Sequence, residues 1–314
     1  MKRNLLLIIF CISFYTLPLY PKATSPIRML ILSGSNNHKW QETTPVLESM
    51  FTRSGLFQVN ITNQPDTLKS TDLEKFDIVL SNWNSWPKND LRWPEETEKA
   101  LLDFIYNGGG FVTFHASTSA FYKWDDFGKI STAAWIPDIT WHKERSATKV
   151  MIEDIRHPIT RGLSDFYVFD ELWVNASENR NFKVLGTASN AELKEMNLEN
   201  QPSVLVSKYG KGNIFHTTLG HDARALRNSG LQSLLLRGAE WAATGKVTQP
   251  VIQELKTPDK SNPRHKWEQT DTTLALLNRE RIIWQYNFRT KHGRPFFHPA
   301  GHPLPVSPEV SYAN

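Results

Sequence analysis

From Ile27 onward, short apolar runs alternate with longer stretches in which apolar residues recur at helical spacing. IRMLILSG (27–34), FQVNITNQ (57–64), FDIVLSNW (76–83) and FVTFHA (111–116) read as strands bounded by turn residues. TTPVLESMFTRSG (43–55) and PEETEKALLDFIYNGGG (94–110) read as helices between them. The second opens on Pro and acids and closes on Asn-Gly, which suits the free backbone groups and the dipole at helix ends. Further strands are expected at TKVMIE (148–153), FKVLGTA (182–188), PSVLVSKYG (202–210) and NIFHTTLG (213–220). GLQSLLLRGAEWAATG (230–245) reads as a last amphipathic helix. This alternation predicts an α/β fold: a mostly parallel sheet with helices on both faces. Ligands of such sheets collect beyond the carboxyl ends of the strands, so the strand tips are where chemistry is expected.

The first strand exits through SGSNNHKW, which carries Asn36, Asn37, His38 and Trp40. The third exits through SNWNSW, with Asn82, Trp83, Asn84 and Trp86. The fourth, launched by three glycines at 108–110, ends on His115. The last is followed by His221 and Asp222. Three histidines on three exits at one edge point to a site, whereas His216 within its strand and His157 before Pro158 read as structural. A sharp turn after a buried strand presents its tip residue, as the nucleophile elbow of hydrolases does. Here that residue is His115, followed by Ala116, so the expected roles are acid, base, hydrogen-bond donor or metal ligand rather than acyl nucleophile. Asp170 and Glu171 lie in the mostly apolar FDELWV. Burial there raises a carboxyl pKa and makes a proton-transfer group, unless an Arg or Lys pairs with it.

Charge and composition narrow the partners. Lys2 and Arg3 precede an apolar run from Leu5 to Tyr15, which fits a secretory leader over residues 1–23 and is short for a membrane span of about twenty residues. Its removal would place the chain in the periplasm or outside the cell, with no stable membrane span. Without Lys2, Arg3 and Lys22, 33 Lys and Arg face 32 Asp and Glu, so no basic field argues for nucleic acid. The single cysteine, Cys11, falls in the leader; a mature chain would have no disulfide, thiolate metal site or cysteine nucleophile.

NHKW, GGGFVTFHA, FYKWDDFGKI, HPITRGL, DELW and GKGNIFHTTLGHD occur here in the order seen in the trehalose-utilisation (ThuA-like) family, which the stretch 27–245 resembles. The resemblance implies a flavodoxin-like sheet similar to class I glutamine amidotransferases. FHAS stands where amidotransferases carry the elbow cysteine, so glutamine hydrolysis is not expected. It also implies a link to disaccharide metabolism beside oxidoreductases that make 3-keto sugars. Carried over by motif, the catalytic candidates are His38, His115, His142, Glu171, His221 and Asp222, with His142 entering mainly through the resemblance. Asn36, Trp40, Asn82, Trp83 and Tyr122 are the expected sugar-binding residues. A divalent metal such as zinc is the candidate cofactor, a small-molecule carbohydrate the expected partner, and a homo-oligomer is compatible with both.

Residues 246–271 are polar and contain Pro, as a linker does, and 272–314 read as a β-rich tail that resembles the opening of a PmoA-like (methane-oxygenase-like) domain. Two functions fit the whole. One is an enzyme that moves a proton on a sugar or keto-sugar. The other is a non-catalytic carbohydrate-binding module on the same fold.

Overall fold

The computed structural model describes residues 25–88, 90–176, 182–252, 255, 265–270, 272–278, 281–287 and 296–298. The expected leader at 1–23, most of the expected linker after residue 252 and the end of the tail lie outside the described residues. The element order begins β1 (Ile27–Leu32), α1 (Trp40–Arg53), β2 (Phe57–Thr62), α2 (Ser70–Leu73), β3 (Ile78–Ser81), α3 (Glu95–Tyr106) and β4 (Gly110–Phe114). A 3-10 turn at His115–Thr118 and α4 (Phe127–Ile130) follow, then β5 (Trp141–His142), β6 (Ser146–Ile152), β7 (Phe166–Asp170) and β8 (Trp173–Val174). Next come β9 (Lys183–Ser189), α5 (Ala191–Glu195), β10 (Gln201–Tyr209), β11 (Gly212–Thr217), α6 (Ala223–Leu226) and α7 (Ser229–Thr244).

Nine of these strands form one mixed sheet in the order β2-β1-β3-β4-β11-β10-β9-β6-β7, and β5 pairs with β8 apart from it. Neighbours from β2 to β11 run parallel, because helices carry the chain back between them. The rest run antiparallel. The physical reason is plain at β10 and β11, where Gly210 and Lys211 alone join the paired Tyr209 and Gly212. A connection that short permits only a hairpin.

The parallel half is apolar on both faces, and its period-two alternation sorts the core in two. Met29 and Ile31 of β1 pack with Leu47 and Phe51 of α1 and Leu234 and Leu235 of α7. Leu30 and Leu32 point the other way, toward Leu101 and Ile105 of α3 and the cluster of Trp83, Trp93, Phe121 and Trp124. Gly110 lets α7 cross close over the start of β4: a Cβ there would sit 2.7 Å from the Ala242 carbonyl carbon.

The stretch expected as a linker begins as part of this domain. The Glu240 carboxylate of α7 accepts hydrogen bonds from the Thr248 backbone and hydroxyl, 2.6 Å each, and from the Gln249 backbone at 2.9 Å. Arg237 donates to the carbonyls of Gln249 (2.6 Å) and Ile159 (2.6 Å), and Leu255 is buried in the core. The tail forms a separate antiparallel sheet of β12 (His265–Gln269), β13 (Thr273–Asn278), β14 (Arg281–Asn287) and β15 (Phe296–His298).

Candidate active site

Four chain segments meet at the carboxyl edge of the parallel half. His115 follows β4 directly and takes φ +41°, the sparsely populated left-handed region in which an elbow turn aims its tip residue. Its side chain is 2% exposed. Its Nδ1 lies 2.9 Å from the Thr218 carbonyl, which only accepts, so Nδ1–H donates and the lone pair resides on Nε2. Among the described residues that buried Nε2 has no hydrogen-bond partner, and it lies 3.6 Å from Glu171 Oε1.

His38 reaches the same point from the loop after β1. The Asn36 amide oxygen accepts from the His38 backbone N–H at 2.8 Å, which fixes it as oxygen, and the ring Nδ1 lies 3.3 Å from it. With Asn37 Oδ1 also 3.1 Å away, Nδ1–H donates to these amides and Nε2 is again the lone-pair nitrogen. Asn84, fully buried, holds this loop: its amide nitrogen donates to the side-chain oxygens of Asn36 and Asn37 at 2.8 Å and to the Ala116 carbonyl at 3.0 Å. One side chain thus ties together the exits of β1, β3 and β4.

Glu171 and His221 are positioned by one buried carboxylate. Asp170 accepts from the backbone N–H groups of Glu171 (2.9 Å), Gly220 (2.7 Å) and His221 (3.1 Å). Complete burial pushes its pKa up to about 7 against those three donors. Gly220 takes φ +115°, and a Cβ there would meet the Phe114 ring at 2.7 Å. The Glu171 carboxylate then accepts from Trp173 Nε1 at 3.1 Å and lies 3.5 Å from His221 Nε2 and 3.4 Å from His142 Nδ1.

The His38 ring stands edge-on to His115 and His221, with centroids 4.8 and 4.4 Å apart. One ligand atom from each of His38, His115, Glu171 and His221 lies within 4.8 Å of the others. Burial, then the neighbouring histidines, lowers the pKa of His38 to about 4 and that of His115 well below its ordinary value; burial and Arg145 lower that of His221. These are neutral imidazoles at physiological pH. Burial also raises the pKa of Glu171, opposed mainly by His142. His38 and Glu171 of the cluster, with His142, line a cavity of about 150 Å³ walled by Trp86, Trp135 and Trp173.

The structure therefore brings together His38, His115, Glu171 and His221, with His142 at the outer side of Glu171 and two-fifths exposed. Asp222 stands apart as the cap of α6, accepting from the backbone of Arg224 and Ala225 at 2.9 Å and pairing with Arg145. Its oxygen is 4.0 Å from His221 Nδ1. None of the five expected sugar-binding residues lines this cavity. Asn82 spends its amide on Thr43 and Thr44, Trp83 packs in the core against Phe121 and Trp93, and Trp40 opens α1. Asn36 holds His38, and Tyr122 lines a neighbouring hollow. Sequence reasoning missed Trp135, which lies in irregular chain, and did not single out Trp173, two residues after Glu171 in the same motif.

Fold and site define a class: a flavodoxin-like α/β protein with a histidine–carboxylate cluster at the carboxyl edge of its sheet. The chain belongs to the ThuA family, described as trehalose utilisation, whose model matches residues 28–242. It is 33% identical to a ThuA-like protein from Parabacteroides merdae ATCC 43184, over 74% of this chain and 95% of that one, at a TM-score of 0.65. The fold is shared by a ThuA-like protein from Bacteroides uniformis ATCC 8492 (20% identical, 73% and 96% covered, TM-score 0.55). It is shared also by a cytoplasmic protein from Salmonella typhimurium LT2 (13% identical, 69% and 99% covered, TM-score 0.52). No curated protein matches the chain.

Proposed function

We propose that the chain is an enzyme that moves a proton at the carbon beside the carbonyl of a keto-sugar. The observation that carries this is the lone pair of His115 Nε2, buried without a partner and facing two further neutral imidazoles and a carboxylate. Lone pairs on His38 and His115 Nε2, beside His221 and a carboxylate, suit a divalent cation. His38, His115 and His221 would hold one, as three nitrogen ligands hold Zn²⁺. Bound there, the cation would polarise the substrate carbonyl.

The remaining steps belong to the chain. Glu171, its pKa raised by burial, is the group suited to take the proton from carbon, and Trp173 holds its second oxygen in place. His142 Nδ1, 3.4 Å from Glu171 Oε2 and partly exposed, carries the proton between Glu171 and solvent. The tryptophan walls suit the apolar face of a sugar ring and exclude water.

The test combines metal analysis with solvent-deuterium exchange into 3-keto-trehalose, followed by NMR. Exchange above an enzyme-free blank is expected. Glu171→Gln should lower it by about 10²–10⁴-fold while leaving bound metal in place, and His115→Ala should lose both. Binding of the sugar with no exchange by the unaltered protein would refute the enzyme reading and leave a binding module.

A further inference from the structure

The three rings proposed to hold a cation are not themselves held alike. His115 has its Nδ1–H on the Thr218 carbonyl at 2.9 Å, and His38 has its Nδ1 3.1 Å from the Asn37 amide oxygen. Each ring is thereby fixed with its lone pair on Nε2. The Nδ1 of His221 is buried and has no hydrogen-bond partner among the described residues. Its Nε2 lies 3.5 Å from Glu171 Oε2, and its Nδ1 lies 4.0 Å from Asp222 Oδ2. A neutral imidazole carries one proton, so this ring stands between two carboxylates with its tautomer open. A cation on Nε2 closes the choice, because the proton then has only Nδ1 to occupy.

Asp222 is well placed to receive that proton's bond. Its Oδ1 accepts from the backbone N–H groups of Arg224 and Ala225 at 2.9 Å each, which anchors the carboxylate at the start of α6. Arg145 donates to Oδ2, and that oxygen has a second lone pair to offer. At 4.0 Å, Oδ2 and the His221 Nδ1 are neighbours without being hydrogen-bonded.

We propose that Asp222 is the positioning residue for His221: it accepts the Nδ1–H of that ring and so keeps the Nε2 lone pair on a cation held with His38 and His115. The proposal rests on the cation reading above. It gives the third ring what the other two already have, an acceptor behind the ligand that sets its tautomer and orientation.

Because Asp222 also caps α6, the test needs variants that keep the cap, and Asn and Ser cap helices about as well as Asp. Asp222→Asn and Asp222→Ser both remove the carboxylate oxygen from beside Nδ1. Competition with a chelator on the full chain should show zinc held about 10–100-fold more weakly in each, with unchanged melting temperatures of the zinc-free proteins. If Asp222 is a cap and nothing more, both variants hold zinc as the parent does, and the proposal falls while the cation site stands. A second measurement needs no variant. Nitrogen NMR of the histidine rings in the zinc-loaded parent should place the His221 proton on Nδ1; a proton on Nε2, with zinc on Nδ1, overturns the proposal. A parent that takes up no zinc removes the cation reading and the role of Asp222 with it.

Discussion

His216 and His115 are both buried, and it is their neighbours that separate the two imidazoles. His216 on β11 is fully buried, pairs with Thr113 Oγ1 of β4 at 2.8 Å, and has its pKa pushed down to about 3 by desolvation. It faces no carboxylate, so it serves packing, as its place inside the strand foretold. Its consequence is for stability. The folded pKa lies below the unfolded value near 6.5, so the unfolded chain binds the extra proton between those limits. Its contribution is complete above about pH 6.5 and is lost as pH falls toward 3. By pH 4.5 the loss from this one group is about 2–3 kcal/mol. In His216→Asn, whose amide can still meet Thr113, the fall in stability between pH 6.5 and 4.5 should be shallower by about one proton's worth, about 1.4 kcal/mol per pH unit. Denaturant titrations at several pH values would read it; parallel slopes for the two proteins would disprove it.

Among the elements, the turn after β4 was legible in advance because its cause is local. Three glycines, an apolar run and a small residue after His115 specify a tight approach, a buried strand and a turn that aims its tip residue. The strands of the parallel half were legible for the same reason, and so was the meeting of His38, His115 and His221. The antiparallel half was less so, since β7 alternates buried and exposed residues although its sequence, FYVFD, is apolar at four of five positions. Asn84 was the least legible. Its role depends on three loops converging, and an asparagine after a strand ordinarily reads as turn-former. Truncating it should therefore loosen His38 without touching a ligand atom. At the cation site proposed above, Asn84→Ala is expected to lower metal affinity by about 10–100-fold, the range for residues that orient ligands, and to leave the secondary structure intact. Competition with a chelator would measure this, and an affinity equal to the parent's would show that the loop holds itself.

Over the whole molecule, the question is where the folded domain stops. The family match ends at residue 242, and the helical pattern ends at Gly245. Physical chemistry puts the boundary later. Glu240 is 2% exposed, and three donors from Thr248 and Gln249 satisfy its carboxylate. Arg237, 5% exposed, spends one of its donors on the Gln249 carbonyl. Ser164 donates from its backbone N–H, at 2.8 Å, and from its hydroxyl, at 3.0 Å, to the Leu255 carbonyl. A chain cut after Gly245 strands a buried carboxylate, which costs several kcal/mol when left without partners, and takes one of the carbonyl partners of the Arg237 guanidinium, which keeps Pro158, Ile159 and Arg161. A chain cut after Lys256 keeps every one of these bonds and, among the described residues, loses the separate antiparallel sheet. The shorter truncation, 257–314, should therefore shift the melting temperature by a few degrees at most, and the longer one, 246–314, by many degrees or to an insoluble product. Equal losses from the two cuts would show that the tail sheet, and not the strap from Thr248 to Leu255, stabilises the domain.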